Sequence, residues 1–283
     1  MTERQDGAEE RALARAVLAI GSSEFVTAAL DYLRSVAPFF GAFLVIVDGR
    51  RPPLHVYDNV RAEKRAEVVD RYLDGAYLLD PFYALCLERP GNALMRLRDV
   101  MPDRFPHSEY FRRYYSLTNL VDEVALLVEL TPSRYLFYSV GRRFGERRFG
   151  SRELDALRRV LPVFAALNQR HFGLAHLRGQ GVPQTQGPRE AAPIGESTPG
   201  ERSRLLREDR SVSAALAAFG TEALSNREQE VAGLILKGHS SDSIARLIGI
   251  SRGTVKIHRK NLYRKLRISS QSELFARFLQ GLE

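Results

Sequence analysis

The stretch Ser251-Arg252-Gly253-Thr254-Val255-Lys256-Ile257-His258-Arg259-Lys260-Asn261-Leu262-Tyr263-Arg264-Lys265-Leu266-Arg267 decides the reading of this chain. Ser251 is a capping residue type whose hydroxyl can accept from an amide of the first helical turn, so the spacing predicts a helix over 252–266. Stepping its residues by about 100° puts Val255, Leu262 and Leu266 on one side. Lys256, Lys260 and Arg264 fall on the other, with Gly253 and Ile257 beside them. From Arg252 to Arg267 there are seven Lys or Arg and no acid. A merely solvated face has no need of so long a run of one sign, whereas a helix lying along phosphates in a major groove does.

The flanking residues predict three more helices. Ser225-Asn226-Arg227-Glu228 reads as a capping box: the Ser hydroxyl accepts from the amide three residues on, and Glu228 reaches back. The helix it starts buries Val231, Leu234 and Ile235 and ends at Gly238. Ser240 caps a second helix, with Ile244, Ala245 and Ile248 inward and Gly249-Ile250 as the turn before Ser251. Beyond the basic helix, Ser270 and Glu273 form another capping box, for a helix carrying Leu274, Phe275, Phe278 and Leu279. A short helix is expected over 205–219.

In order and spacing, Leu224 to Val231, Gly238-His239-Ser240, Ile244-Ala245, Ile250-Ser251, Thr254 to His258, Asn261-Leu262 and Lys265-Leu266 resemble the LuxR/GerE family of bacterial regulators. The likeness covers roughly 60 residues. It departs at Ser243 and Ser241, where the family usually has Glu and Asn, both at the second helix's cap and away from the basic face. The resemblance implies a four-helix, helix-turn-helix domain whose third helix reads DNA and whose fourth pairs two subunits. Carried onto this sequence, it gives Lys256, Ile257 and Lys260 as base-reading residues. Arg252, Thr254, Arg259, Asn261, Arg264 and Lys265 are then phosphate contacts, and Leu274, Phe275 and Phe278 a dimer surface.

Upstream, residues 178–203 hold five Gly and four Pro but only four apolar side chains, too few to offset the entropy of ordering. They read as a flexible linker. The chain therefore divides into a front domain, 1–177, and a DNA-binding domain, 204–283, with its core at 221–283.

The front domain mixes two periodicities. Leu13, Val17 and Ile20, then Phe25, Leu30, Leu33 and Val36, recur at helical spacing, and Phe43 to Val47 is a compact strand-like run. A second strand is expected at 54–57, helices over 62–88 and 104–116, and a hairpin from 122–130 and 134–140 turning at Thr131-Pro132-Ser133. Ser151 is read as the cap of a long helix with Leu154, Leu157, Leu161, Phe164 and Leu167 on one stripe. This order predicts an α+β domain, an antiparallel sheet with flanking helices, PAS/GAF-like, joined to the all-α helix-turn-helix domain.

Tyr77-Leu78-Leu79-Asp80-Pro81 resembles the tyrosine and Asp-Pro region of the acyl-homoserine-lactone-binding domains found in some LuxR-type proteins. The chain has no Trp, and Glu67 stands where one of that family's tryptophans is expected. The resemblance is therefore to an orphan regulator with a different effector or none. Tyr77, Asp80, Tyr83, Tyr110 and Tyr114 are the candidate effector pocket. Against that, Asp80 reads more readily as a turn or helix cap, and the aromatic group at 110–115 as core packing. Ile46-Val47-Asp48 resembles the first strand of a receiver domain, but no acidic pair follows and two helices precede it.

Other features read as structural. Cys86 lies in an apolar stretch and is the chain's single cysteine, which excludes an intramolecular disulfide framework. His171 and His176, five apart, lie off one helical face and make no metal pair, and no metal or cofactor is expected. The repeated Arg-Arg-Phe-Gly within 141–150 reads as a basic loop. There is no G-x-S-x-G, P-loop or zinc spacing, so an enzyme is not expected. With 42 Lys and Arg against 34 Asp and Glu, the 283-residue chain carries +8, which suits a polyanionic partner. No run of about 18 apolar residues occurs. The expectation is a cytoplasmic bacterial homodimer that binds a double-stranded DNA operator and works with RNA polymerase, its front domain answering a small-molecule effector and no membrane involved. The alternative is a regulator controlled by a partner protein or by its own concentration.

Overall fold

A computed structural model describes residues 3–49, 51–177, 219 and 223–280. The expected linker, 178–203, and nearly all of the expected helix over 205–219 lie outside the described residues.

Helices α1 (Glu3–Leu18) and α2 (Phe25–Val36) open the front domain. Five strands follow: β1 (Gly41–Asp48), β2 (Leu54–Asp58), β3 (Ala93–Arg96), β4 (Leu120–Thr131) and β5 (Arg134–Arg143). They form one antiparallel sheet in the order β2-β1-β5-β4-β3. Four strands are legible in the sequence. The fifth, β3, is four residues long and becomes a strand only by pairing with Val124–Leu127 of β4, a non-local contact that periodicity cannot reveal.

Alternation along the strands divides the core in two. Leu44, Ile46, Val124, Leu126, Leu136 and Tyr138 face α1, α2 and the long helix α7 (Ser151–Leu177). Val45, Val47, Ala125, Leu127, Tyr135 and Phe137 face the opposite layer. The stripe Leu154, Leu157, Leu161, Phe164 and Leu167 of α7 is buried, as its spacing requires. The helix starts one residue earlier than Ser151 implies: the Gly150 carbonyl accepts from Leu154, and the Glu153 carboxylate caps the Gly150 amide at 2.8 Å. The basic 141–150 stretch is also more than a loop. Gly141–Arg143 ends β5, and the buried Arg142 guanidinium bonds the carbonyls of Pro38, Arg147 and Arg148 and the Glu153 carboxylate, tying the sheet to α7.

The opposite layer is where sequence and structure differ most. The sequence predicts helices over 62–88 and one more over 104–116. Instead the chain makes short turns of 3₁₀, π and α type, including α3 (Arg71–Leu73), α4 (Pro81–Leu87), α5 (Leu97–Val100) and α6 (Glu109–Arg113). The local causes are visible. Pro106 confines a 3₁₀ turn to Phe105–His107, and the Ser108 hydroxyl then accepts from the Phe111 amide and starts a new helix. That helix ends at Tyr114, whose φ of −130° is not helical, and the following turn closes on Asn119 in the left-handed region.

Among the described residues the C-terminal domain has four helices, α8 (Asn226–Lys237), α9 (Ser241–Ile248), α10 (Arg252–Leu266) and α11 (Gln271–Gln280). Ser225, Ser240 and Ser251 cap the first three as expected, the Ser225–Glu228 box being complete in both directions. At the fourth, Ser270 accepts from the Glu273 amide, while Glu273 reaches back one residue further, to Ser269.

Candidate DNA interface and front-domain cleft

Helix α10 is held by its apolar side. Val255, Leu262 and Leu266 are buried against α8 and α9, each such side chain supplying roughly 1.5–3 kcal/mol. Its opposite side is open: Lys256, Lys260 and Arg264 are exposed, and Ile257 is 61% exposed, an unusual position for a large aliphatic side chain. The other expected DNA contacts differ in how free they are. Arg252 pairs with Asp242 at 3.2 Å on the surface, and the Thr254 hydroxyl meets Ser251. The Asn261 carbonyl oxygen accepts from Arg264, and Arg259 donates to the Ser241 hydroxyl. Lys265 is committed within the chain: its Nζ lies 2.7 Å from the buried Glu228 carboxylate. Burial opposes ionisation of Glu228, but the bonds from Lys265 and Ser225 hold its carboxyl below the usual range.

The expected dimer residues are enclosed. Leu274, Phe275 and Phe278 are all buried, and Phe278 packs edge-on against Phe219 with ring centres 5.7 Å apart. Of the three, Phe275 carries a front-domain group, the Arg113 guanidinium, over its ring at 5.4 Å.

In the front domain a cleft opens between the sheet and the short-helix layer. Its inner lobe, about 90 Å³, is lined by Phe43, Tyr72, Asp80, Tyr110, Tyr114, Tyr115, Glu123 and Ser139 among others. An outer lobe of about 280 Å³ shares Gly41, Asn59, Val60, Val68, Thr118 and Leu120 with it and continues to Arg61, Lys64 and Arg143. Asp80 both caps α4, accepting from the Phe82 amide at 2.8 Å, and faces the cleft, where the Tyr72 hydroxyl donates to it at 2.8 Å. Burial pushes its carboxyl up to about 6, against those bonds. Glu123 accepts from the Ser139 hydroxyl and from Tyr115. Burial, and then the charge of Asp80, push it up to about 7.

Of the five expected pocket residues, the fold brings Asp80, Tyr110 and Tyr114 together at the cleft. Tyr77 and Tyr83 do not line it; they stack edge to face at 5.0 Å within the core. Tyr72, Glu123 and Ser139 went unsingled in the sequence, although an acid inside the apolar alternation of β4 is itself a signal: Glu123 shares the parity of Ala125 and Leu127. Glu67 is on the surface, paired with Lys64 at 2.6 Å. Cys86 is buried, and its thiol is pushed up by burial. His171 accepts from the Gly21 amide and stacks on Phe25.

The two domains meet along residues 103–113. The Arg104 amide donates to the Gly238 carbonyl at 3.2 Å, and the Ser240 amide donates to the Asp103 carboxylate at 3.0 Å. Gly238, at φ 98°, ends α8, and any Cβ there would come within 2.9 Å of Ser108. It serves both the left-handed cap and the close approach.

The model of bacterial regulatory proteins of the luxR family matches residues 222–278. A protein of Aeromonas salmonicida, "Putative HTH-type transcriptional regulator in exeN 3'region", is 32% identical over 204 residues, which is 72% of this chain and 94% of that relative.

The chain belongs to the LuxR family.

It is accordingly a LuxR-family DNA-binding transcriptional regulator. Its front domain is similar to the LBD domain of VqsR from Pseudomonas aeruginosa, whose crystal structure matches with a TM-score of 0.51 at 26% identity, over 59% of this chain and 98% of that one. The response regulator protein TodT of Pseudomonas putida shares only 53 residues, at 43% identity, covering 19% of this chain and 23% of TodT. Among the described residues no helix is long and apolar enough to cross a membrane.

Proposed function

We propose that this LuxR-family regulator binds a two-half-site operator as a homodimer and that a small molecule in the front-domain cleft sets its affinity. In this reading the front domain is a sensor of the PAS/GAF-like kind, and the protein acts on RNA polymerase at the promoter, in the cytoplasm. Lys256, Ile257 and Lys260 read base edges, while Arg252, Thr254, Arg259, Asn261 and Arg264 hold the backbone. Lys265 joins them only by giving up Glu228.

One observation carries the effector reading. The short segment 103–115 has two faces: Tyr110, Tyr114 and Tyr115 line the cleft, and Asp103, Arg104 and Arg113 touch the DNA-binding domain. A molecule that orders or displaces those tyrosines acts on the residues that hold α8, α9 and α11, which is what a coupling between two sites requires. The docked arrangement leaves the reading face of α10 open but holds Phe275 of the pairing helix under Arg113. Freeing that helix favours two linked half-sites over one.

The test is selection of operator fragments by the full-length protein, then affinity for one and for two half-sites with the cleft narrowed by Val60→Trp. A change confined to the two-half-site operator supports the coupling. Equal affinities for native protein and variant on both would favour control by concentration alone.

A further inference from the structure

The cleft is polarised along its length. Its inner lobe presents two buried carboxyls, Asp80 and Glu123, and no Lys or Arg lines it. Tyr110 and Tyr114 also line it, and their hydroxyls make no hydrogen bond among the described residues. Neither oxygen is among the fully buried polar atoms left without a partner in the described residues, so both are reachable from the cavity and can bond the polar atoms of a ligand. The outer lobe has the opposite sign. Arg61 makes no ion pair among the described residues, and Arg143 lies over the Phe40 ring, held below the usual arginine range by burial and then by the charge of Arg61. Between the ends the walls are apolar: Phe43, Val60, Val68 and Leu120.

We infer that the cleft takes a small zwitterion, with an ammonium group inside against Asp80 and Glu123 and a carboxylate or similar anion at the mouth between Arg61 and Arg143. This rests on reading the cleft as the effector site, and it names the ligand's chemical class. An ammonium supplies three donors to acceptors that face no other cation, and its charge restores the ionised carboxyls that burial suppresses, Asp80 being pushed up to about 6 and Glu123 to about 7. An anion at the mouth relieves the mutual repulsion of the two guanidiniums. The short apolar middle fits a few methylenes. A neutral ligand leaves both charge patterns uncompensated.

The experiment is thermal unfolding of the full-length protein with a ladder of unbranched ω-amino acids, from β-alanine to 8-aminooctanoate. The matching alkylamines, alkyl carboxylates and octanoyl-homoserine lactone run beside them. The expected result is a window of chain length that raises the melting temperature, with a dissociation constant at least about tenfold below that of either half-molecule of equal length. Arg61→Gln, at an exposed position, and Glu123→Gln each abolish that advantage. If no zwitterion outperforms its halves, or if Arg61→Gln leaves the window unchanged, the inference is overturned. If the lactone alone stabilises the protein, the ligand class is wrong while the cleft remains an effector site. If nothing binds and Val60→Trp leaves two-half-site affinity unchanged, the effector reading falls with it.

Discussion

Asp103 of the front domain accepts a hydrogen bond at 3.0 Å from the backbone amide of Ser240, the residue that caps the second helix of the DNA-binding domain, 137 positions away. The start of the helix-turn-helix unit is thus tied to the front-domain segment and not left to water. Burial opposes ionisation of Asp103, but the Ser240 hydroxyl and amide and nearby His239 hold its carboxyl below the usual range. A lowered carboxyl contributes stability above its unfolded value and loses it as pH falls through the folded one. The tie is therefore intact at neutral pH and released only by strong acid.

Asp103→Ala should free the DNA-binding domain without unfolding either half. A hydrogen bond of this kind contributes about 0.5–1.5 kcal/mol, so operator affinity should change by roughly two- to tenfold. Amide exchange at Ser240 should quicken in the variant. Unchanged exchange there would mean that the contact does not persist in solution.

Glu123→Gln should raise thermal stability in a pH-dependent way. Folding lifts this carboxyl from an ordinary 4.5 to about 7, so the folded state binds more protons than the unfolded one between those values. Wild-type stability from this group is therefore lost as pH rises through that window, and Asp80, lifted from 3.8 to about 6, acts in the same sense. Glutamine keeps an acceptor for Ser139 without the ionisation. The variant's advantage in melting temperature should be small at pH 5 and largest above pH 7; a flat difference would contradict the burial of this carboxyl.

His171 works in the opposite direction. Burial lowers it from 6.5 to about 4, and its Nδ1 accepts from Gly21, so it folds neutral. Stability from His171 should be lost as pH falls from 6.5 toward 4, and His171→Asn should remove that acid sensitivity while costing stability at pH 7. A variant as acid-sensitive as wild type, compared by melting temperature across that range, would rule this out.

What the sequence disclosed depended on how local each cause is. Helix α10 was legible to its boundaries, 252–266, because its cap is Ser251 and its buried stripe is its own periodicity. The β4–β5 hairpin was legible from Thr131-Pro132-Ser133. The layer over 62–118 was not, since Ser108 and Tyr114 break it through backbone choices that apolar spacing does not record. The cleft shows the same division. Asp80 stood out through its Asp-Pro context, but Glu123 and Ser139 meet only because β4 and β5 pair in one register, Ser139 lying opposite Ala125. The buried positions of Leu274 and Phe278 were likewise open to two readings, because an apolar stripe looks alike whether it faces a core or a second subunit.

Phe278→Ala should therefore act on folding first. The side chain is 1% exposed, and truncating a buried phenylalanine costs about 3–5 kcal/mol. Circular dichroism should show the DNA-binding domain melting well below the wild type. Normal stability with loss of dimer alone would restore Phe278 to the pairing surface.

Val255→Asp sets a control for α10. Val255 is fully buried, and an unpaired carboxylate there should unfold the domain and abolish binding to every sequence alike. A folded variant that still bound DNA would mean that α10 is not seated by this side.

The measurement that bears most directly on the account compares operator and random-sequence affinity at several salt concentrations for Lys256→Ala, Lys260→Ala and Arg264→Ala, with circular dichroism to confirm folding. The two lysine variants should lose roughly 1–3 kcal/mol more on operator than on random DNA. Arg264→Ala should weaken both equally and reduce the salt slope by about one. If both lysine variants stay folded and lose no more affinity for operator than for random DNA, the exposed face of α10 is not the surface that reads the sequence.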